Sequence, residues 1–97
     1  MIGERRKPMA RHELQTDPDG FDAIHSGGKT FELRKDDRHF AVGDWLRLRE
    51  TVYPVREMAF GKPLEYTGRD TFRRISYILR GPIYGLAEGW VILAFEG

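Results

Sequence analysis

The stretch Ser26-Gly27-Gly28-Lys29-Thr30-Phe31-Glu32-Leu33-Arg34 marks the point at which the chain changes from helical to extended structure. The two glycines favour a helix end, because glycine readily adopts the left-handed conformation that closes a helix. The residues that follow alternate in character, with Phe31 and Leu33 on one side and Thr30, Glu32 and Arg34 on the other. This stretch therefore predicts the end of a helix followed by a strand.

The segment before the glycines predicts a short strand and then a helix. Residues 11–15 are extended in character. Asp17 suits the capping position and Pro18 the first position of a helix. Phe21 and Ile24 lie three residues apart, so they share one face of that helix.

The chain after residue 34 predicts three further strands. Residues 45–50 alternate cleanly, residues 71–79 are rich in β-forming side chains, and residues 90–95 are apolar on both faces, as in a central strand. Between them, residues 51–65 predict a long loop, and loops of this length are often functional. Residues 66–70 (Tyr-Thr-Gly-Arg-Asp) predict a turn.

Two further features are interpreted as structural. Val42-Gly43-Asp44 predicts a tight turn in which the Asp44 carboxylate accepts hydrogen bonds from nearby backbone amides. Trp45 and Trp90 are expected to pack in the core or at one end of the sheet.

These elements predict a mainly β (α+β) fold with about five to six strands and one or two short helices. Short strands with glycine-rich turns favour a small barrel, because closure removes exposed sheet edges. The helices do not alternate with the strands, which excludes a doubly wound α/β fold. We expect residues 11–97 to form a single domain and residues 1–10 to form a flexible basic tail.

Composition narrows the classes of function. The 97 residues carry a net charge of +1, so a nucleic-acid site would have to be a local patch. The absence of cysteine excludes disulfides, thiolate nucleophiles and cysteine-ligated zinc. The three histidines lack paired ligand spacing, so we expect no metal site. The sequence has no phosphate-binding or dinucleotide motif, so we expect no cofactor. We also expect no signal peptide, no membrane partner and a cytoplasmic location.

Several motifs, read in order, resemble the ASCH superfamily and most closely its DUF3850 branch of small phage and bacterial proteins. The resemblance covers roughly residues 11–96, and its motifs are His12-Glu13-Leu14, Phe21-Asp22-Ala23-Ile24, residues 26–34, Asp37-Arg38-His39-Phe40, Val42-Gly43-Asp44, Tyr66-Thr67-Gly68-Arg69 and Gly89-Trp90-Val91-Ile92-Leu93. It implies a PUA-like barrel with the helix packed at one end. It also implies an RNA-binding cleft beside the segment that contains Lys29.

One branch of that superfamily hydrolyses acetylated cytidine through the pattern Gly-x-Lys-x-x-Thr-x-Arg, in which the Lys and the Thr are catalytic. Lys29 and Arg34 match this pattern, but Glu32 stands where the nucleophilic threonine would be. Thr30 lies two residues earlier in the strand, about 6–7 Å away, so it does not simply replace that nucleophile. This departure argues against the family's mechanism in this chain.

Three hypotheses follow from the sequence. The first is a module that binds RNA or a nucleotide-like small molecule, at Gly27, Gly28, Lys29, Glu32, Arg34, Tyr66 and Arg69. The second is a small amidohydrolase for a modified nucleoside, with Lys29 and Glu32 as catalytic residues and Glu32 as a general base for water. The third is a phage accessory protein that binds a host protein and uses the fold as a scaffold.

Overall fold

The computed structural model describes residues 9–96, which form one mixed β-sheet with two short helices. The elements in chain order are β1 (Arg11–Thr16), α1 (Pro18–His25), β2 (Phe31–Lys35), β3 (Trp45–Thr51), α2 (Val55–Met58), β4 (Tyr66–Arg80) and β5 (Trp90–Phe95). The mainly β fold, five strands and two short helices predicted from the sequence are confirmed. Residues 1–8, most of the predicted tail, lie outside the described residues.

The sheet has the strand order β1-β3-β4-β5-β2, so β1 and β2 form its two edges. β1 runs parallel to β3, whereas the other neighbouring pairs are antiparallel. Among the described strands, no backbone ladder joins β1 to β2, and the sheet is not closed into a barrel. Arginine side chains span the opening instead: Arg34 and Arg38 donate hydrogen bonds to the β1 carbonyls of Gln15 and Glu13.

The core lies between the inner face of the sheet and α1. Alternate residues of β3 and β5 point inward, as their patterns predict, and α1 contributes one face. The buried apolar side chains are Leu14, Phe21, Ile24, Phe40, Leu46, Leu48, Ile75, Val91, Leu93 and Phe95. Each such side chain contributes about 1.5–3 kcal/mol through removal from water.

Helix α1 begins and ends where the sequence predicts, with Pro18 in its first turn. Asp17 occupies the capping position, but its side chain makes no capping hydrogen bond. The carboxylate accepts the backbone N–H of Val55 in α2 instead, at 3.2 Å. Gly27 follows with a φ of 88°, a left-handed conformation that explains the glycine at this helix end.

Strand β2 confirms the predicted alternation, but its buried side is the polar one. Glu32 is only 5% exposed, whereas Phe31 and Leu33 are 43% and 51% exposed. The neighbouring strand explains this orientation, because Glu32 pairs with the buried Leu93 of β5. A carboxylate therefore enters the interior at the edge of the sheet.

One other expectation is wrong, and for a second the structure excludes one of two alternatives. Residues 66–70 are not a turn but the first part of β4, which pairs with β3. The glycine that suggested a reversal, Gly68, has a φ of 96° near a register shift in that ladder, so the strand absorbs it as an irregularity. Of the two places expected for Trp45 and Trp90, the core is excluded, because both lie on outward positions and are partly exposed. Each is the first residue of its strand.

The turn before β3 confirms the role predicted for Asp44. Its carboxylate accepts the backbone N–H groups of Ala10 and Ala41 at 3.1 and 3.0 Å, and Nε2 of His12 donates to it at 2.9 Å. Burial opposes the charge, but these hydrogen bonds outweigh it and lower the pKa of Asp44 below 3.8. The turn is thereby fixed to β1.

No helix within residues 9–96 is both long and apolar enough to cross a membrane.

Packing of β5 on the core predicts that Leu93→Ala lowers the free energy of unfolding by about 2–5 kcal/mol, through lost apolar contact and the cavity left behind. Leu33→Ala is the matched control, because Leu33 pairs opposite β5 but points outward. Urea unfolding followed by circular dichroism measures both. Equal losses in the two variants would contradict the assignment of inward and outward faces.

The lowered pKa of Asp44 predicts a pH-dependent contribution to stability. Its native hydrogen bonds favour the charged form, so the contribution is complete above the unfolded pKa of about 3.9 and disappears as the pH falls through the lower folded value. Asp44→Asn should cost about 1–3 kcal/mol at neutral pH. Urea titrations should show the gap from the parent narrowing below about pH 4. A gap that stays constant into that range would count against this role.

Candidate functional site

A cleft of about 500 Å³ opens where the edge strands β1 and β2 separate. Residues 15–20, from the end of β1 and the start of α1, form one wall. Lys29, Glu32, Leu33 and Arg34 form the second wall, and residues 54–57, around α2, form the third. A volume of this size falls within the range of about 300–1,000 Å³ that is usual for small-molecule sites.

Glu32 is the central group of the cleft, because it is a buried carboxylate that lines an open space. Its Oε1 accepts a hydrogen bond from Nζ of Lys29 at 3.3 Å, and its Oε2 lies 3.5 Å from Nη1 of Arg34. Both distances are long for charged partners, and a carboxylate offers about four acceptor positions. Glu32 therefore retains acceptor capacity, and it lines the cleft.

Lys29 reaches this carboxylate because the chain leaves α1 along a fixed path. Its backbone N–H donates to the carbonyl of Ala23 at 3.0 Å, directly after the helix end at Gly27. The ammonium group also lies close to the start of α1, where a Cβ placed on Gly20 would be 3.8 Å from Nζ. The ammonium is thus held between α1 and β2.

Arg34 has two contacts that place it across the opening of the sheet. One guanidinium nitrogen, Nη1, donates to the carbonyl of Gln15 at 2.9 Å and lies 3.5 Å from Glu32. The side chain therefore connects the two edge strands and compensates the buried carboxylate at the same time. Its planar donor group suits this double contact better than a lysine would.

The structure also brings residues to the cleft that the sequence did not single out. Thr16 is buried at the end of β1, and its Oγ1 makes no hydrogen bond to any described residue. Arg56 and Glu57 enter from α2, a helix that the loop reading of residues 51–65 missed. Asp17 holds that helix in place through Val55, a long-range contact with no sequence signal.

Four of the seven predicted binding residues do not line the cleft. Gly27 and Gly28 form the turn after α1. Arg69 packs against that helix, with its guanidinium 4.8 Å from the Phe21 ring centre and 3.6 Å from Glu50. Tyr66 lies beside Arg49, at 3.7 Å from ring centre to guanidinium carbon. The predicted residues brought together are Lys29, Glu32 and Arg34.

Charge in the cleft is mixed rather than basic. Three cations, Lys29, Arg34 and Arg56, face four carboxylates, which belong to Asp17, Asp19, Glu32 and Glu57. Such a lining does not favour a ligand with several phosphate groups, because the carboxylates repel it. It favours a ligand that offers hydrogen-bond donors to Glu32 and acceptors to Lys29 or Arg34.

Comparison with known proteins identifies a family whose description names no activity. The sequence model of the family described as a domain of unknown function, DUF3850, matches residues 11–95. No curated protein matches the chain. The match spans every helix and strand of the structure. The chain therefore belongs to the DUF3850 family.

Proposed function

We propose that the cleft binds a nucleoside-like ligand, either as a free nucleotide or as one residue of an RNA. The observation that carries this proposal is the buried Glu32 carboxylate, which keeps acceptor capacity in a cleft of about 500 Å³. A carboxylate accepts hydrogen bonds from the exocyclic amine of cytosine. Lys29 and Arg34 lie beside it as donors for the carbonyl oxygens of a base or for a single phosphate.

We also infer that the domain belongs to the PUA-like ASCH superfamily. The resemblance of residues 26–34 and of the later motifs supports this assignment, as does the mainly β fold. Arg34 in β2 and Arg38 in the loop after it both reach β1, which supports a barrel-like arrangement in which side chains bridge the open position. A ligand in the cleft would lie at this opening. We expect the protein to act in the cytoplasm.

A second candidate function is hydrolysis of an amide on a modified nucleoside. The observation that favours it is the 3.3 Å contact between Lys29 and Glu32 inside the cleft. In this reaction Glu32 takes a proton from water, the hydroxide attacks the amide carbonyl, and the proton passes to the departing amine. Glu32 occupies the position of the threonine nucleophile in the acetylcytidine-hydrolysing branch. The nearby Thr30 does not line the cleft, so it does not take over that role.

The binding proposal predicts that cytidine binds more tightly than uridine, which lacks the exocyclic amine. Glu32→Gln should weaken cytidine binding about 10- to 100-fold, because a hydrogen bond to a charged acceptor contributes about 1.5–3 kcal/mol. Isothermal titration calorimetry with cytidine, uridine and cytidine monophosphate measures the effect. Glu88→Gln, which removes an exposed carboxylate outside the cleft, is the control and should bind as the parent does.

Unchanged cytidine affinity in Glu32→Gln, or no binding of any of these compounds, would contradict the proposed role of the cleft.

The hydrolysis proposal predicts that the parent releases acetate from N4-acetylcytidine and that Glu32→Gln abolishes this release, because the variant lacks the general base. Chromatography of the nucleoside products follows the conversion to cytidine. Glu32→Thr replaces this base with the family's nucleophile beside Lys29 and should create or raise the same release; Lys29→Ala in that background should abolish the gain, because it removes the group that activates the threonine. No release by the parent together with no gain in a folded Glu32→Thr variant would argue against an amidohydrolase.

A further inference from the structure

The outer surface of β1, β3 and β4 carries a regular array of arginine, aromatic and acidic side chains. The inner residues of β3, Leu46 and Leu48, are buried, so the residues between them point outward. Strand register then places three rows across the sheet, and we call these nine residues the outer face: Arg11, Trp45 and Arg74; Glu13, Arg47 and Phe72; Gln15, Arg49 and Asp70. Tyr66 adjoins the third row through Arg49.

The aromatic rings of this face are accessible. Trp45 is 42% exposed and Phe72 is 43% exposed, although both stand on strands in the middle of the sheet. They belong to adjacent rows on neighbouring strands and are therefore about 7–8 Å apart as diagonal neighbours. Two separate exposed rings on one face of the sheet offer stacking surfaces for successive planar groups.

Arginine side chains already lie over aromatic rings on this surface. The guanidinium carbon of Arg11 is 5.4 Å from the ring centre of Phe72, and that of Arg49 is 3.7 Å from the ring centre of Tyr66. Such contacts hold the long side chains close to the sheet and reduce the conformational entropy lost on binding.

Charge on the outer face is predominantly positive. Four guanidinium groups accompany two carboxylates, and both carboxylates are within 2.8 Å of Arg47. Arg11 and Arg74 make no ion pair with any described residue. Nε of Arg74 donates to the carbonyl of Gly43 at 3.3 Å, and Arg11 lies over Phe72, so neither guanidinium is neutralised by a described carboxylate, in contrast to the mixed charge of the cleft.

We propose that the outer face binds single-stranded RNA, with bases stacked on Trp45 and Phe72 and phosphates contacted by Arg11 and Arg74. Flat aromatic groups interleaved with arginines match the alternation of bases and phosphates in a single strand. The acceptors on the same surface, Gln15 above all, favour RNA over DNA because each ribose offers a 2′-hydroxyl donor. This site is separate from the nucleoside cleft, although Gln15 contributes to both.

The test is fluorescence anisotropy with a labelled single-stranded RNA of about 12 nucleotides, beside DNA of the same sequence and the RNA duplex. The single-stranded RNA should bind most tightly, and its affinity should fall between about 50 and 200 mM salt. A plot of the logarithm of the binding constant against the logarithm of the salt concentration should have a slope of about −0.7 for each phosphate neutralised. Trp45→Leu with Phe72→Leu should weaken binding about 10- to 100-fold, through loss of base stacking.

Matched control variants test whether a loss of RNA affinity is specific to the outer face. Phe60→Leu removes an exposed aromatic ring outside the outer face, and Lys35→Gln removes an exposed cation from β2; neither should change RNA affinity. If the aromatic double variant fails to fold, Arg11→Gln with Arg74→Gln replaces it and should reduce the affinity and lower the salt slope. Both double variants should bind cytidine as tightly as the parent does, because none of their four residues lines the cleft, and this distinguishes the outer face from the cleft.

RNA binding that survives both double variants would overturn the proposal, and so would equal affinity for DNA. Absence of RNA binding at about 50 mM salt would also overturn it. The face would then be better suited to a protein partner.

Discussion

The central constraint on this molecule is the burial of one carboxylate on an edge strand. Removing Glu32 from water is costly unless cations compensate it, and two of them, Lys29 and Arg34, come from the same segment. Their positions depend on the helix end at Gly27, which directs the chain into β2. The positions of Glu32, Lys29 and Arg34 and the path of the backbone after Gly27 therefore depend on each other. The cleft forms around these three side chains.

Glu32, Lys29 and Arg34 are accessible to a ligand because the sheet is open between β1 and β2. A backbone ladder between β1 and β2 would fill the space that the cleft occupies, whereas arginine side chains connect the strands and leave room beside them. The same sheet presents a different chemistry on its outer surface, where arginines stack against aromatic rings. The two surfaces therefore favour different ligands: a compact group with hydrogen-bond donors inside, and an extended anionic strand outside.

Local patterns in the sequence predicted most elements of the fold and three residues of the cleft. The alternation of residues 30–34 is a local property, but the choice of its polar side for burial depends on pairing of Glu32 with Leu93 in a distant strand. Likewise, the glycine at position 68 carries a turn signal that pairing with β3 overrides. Thr16 and the α2 wall could not be predicted, because a contact between Asp17 and Val55 brings them together.

The most direct measurement of the central claim is a titration of ¹⁵N-labelled protein with cytidine, followed by backbone amide chemical shifts. A nucleoside bound beside Glu32 should move the amide signals of residues 15–17, 19–20 and 29–34 together and leave those of β4 unchanged. Shifts confined to the outer face, or no shifts at saturating cytidine, would contradict the assignment of the cleft as the nucleoside site.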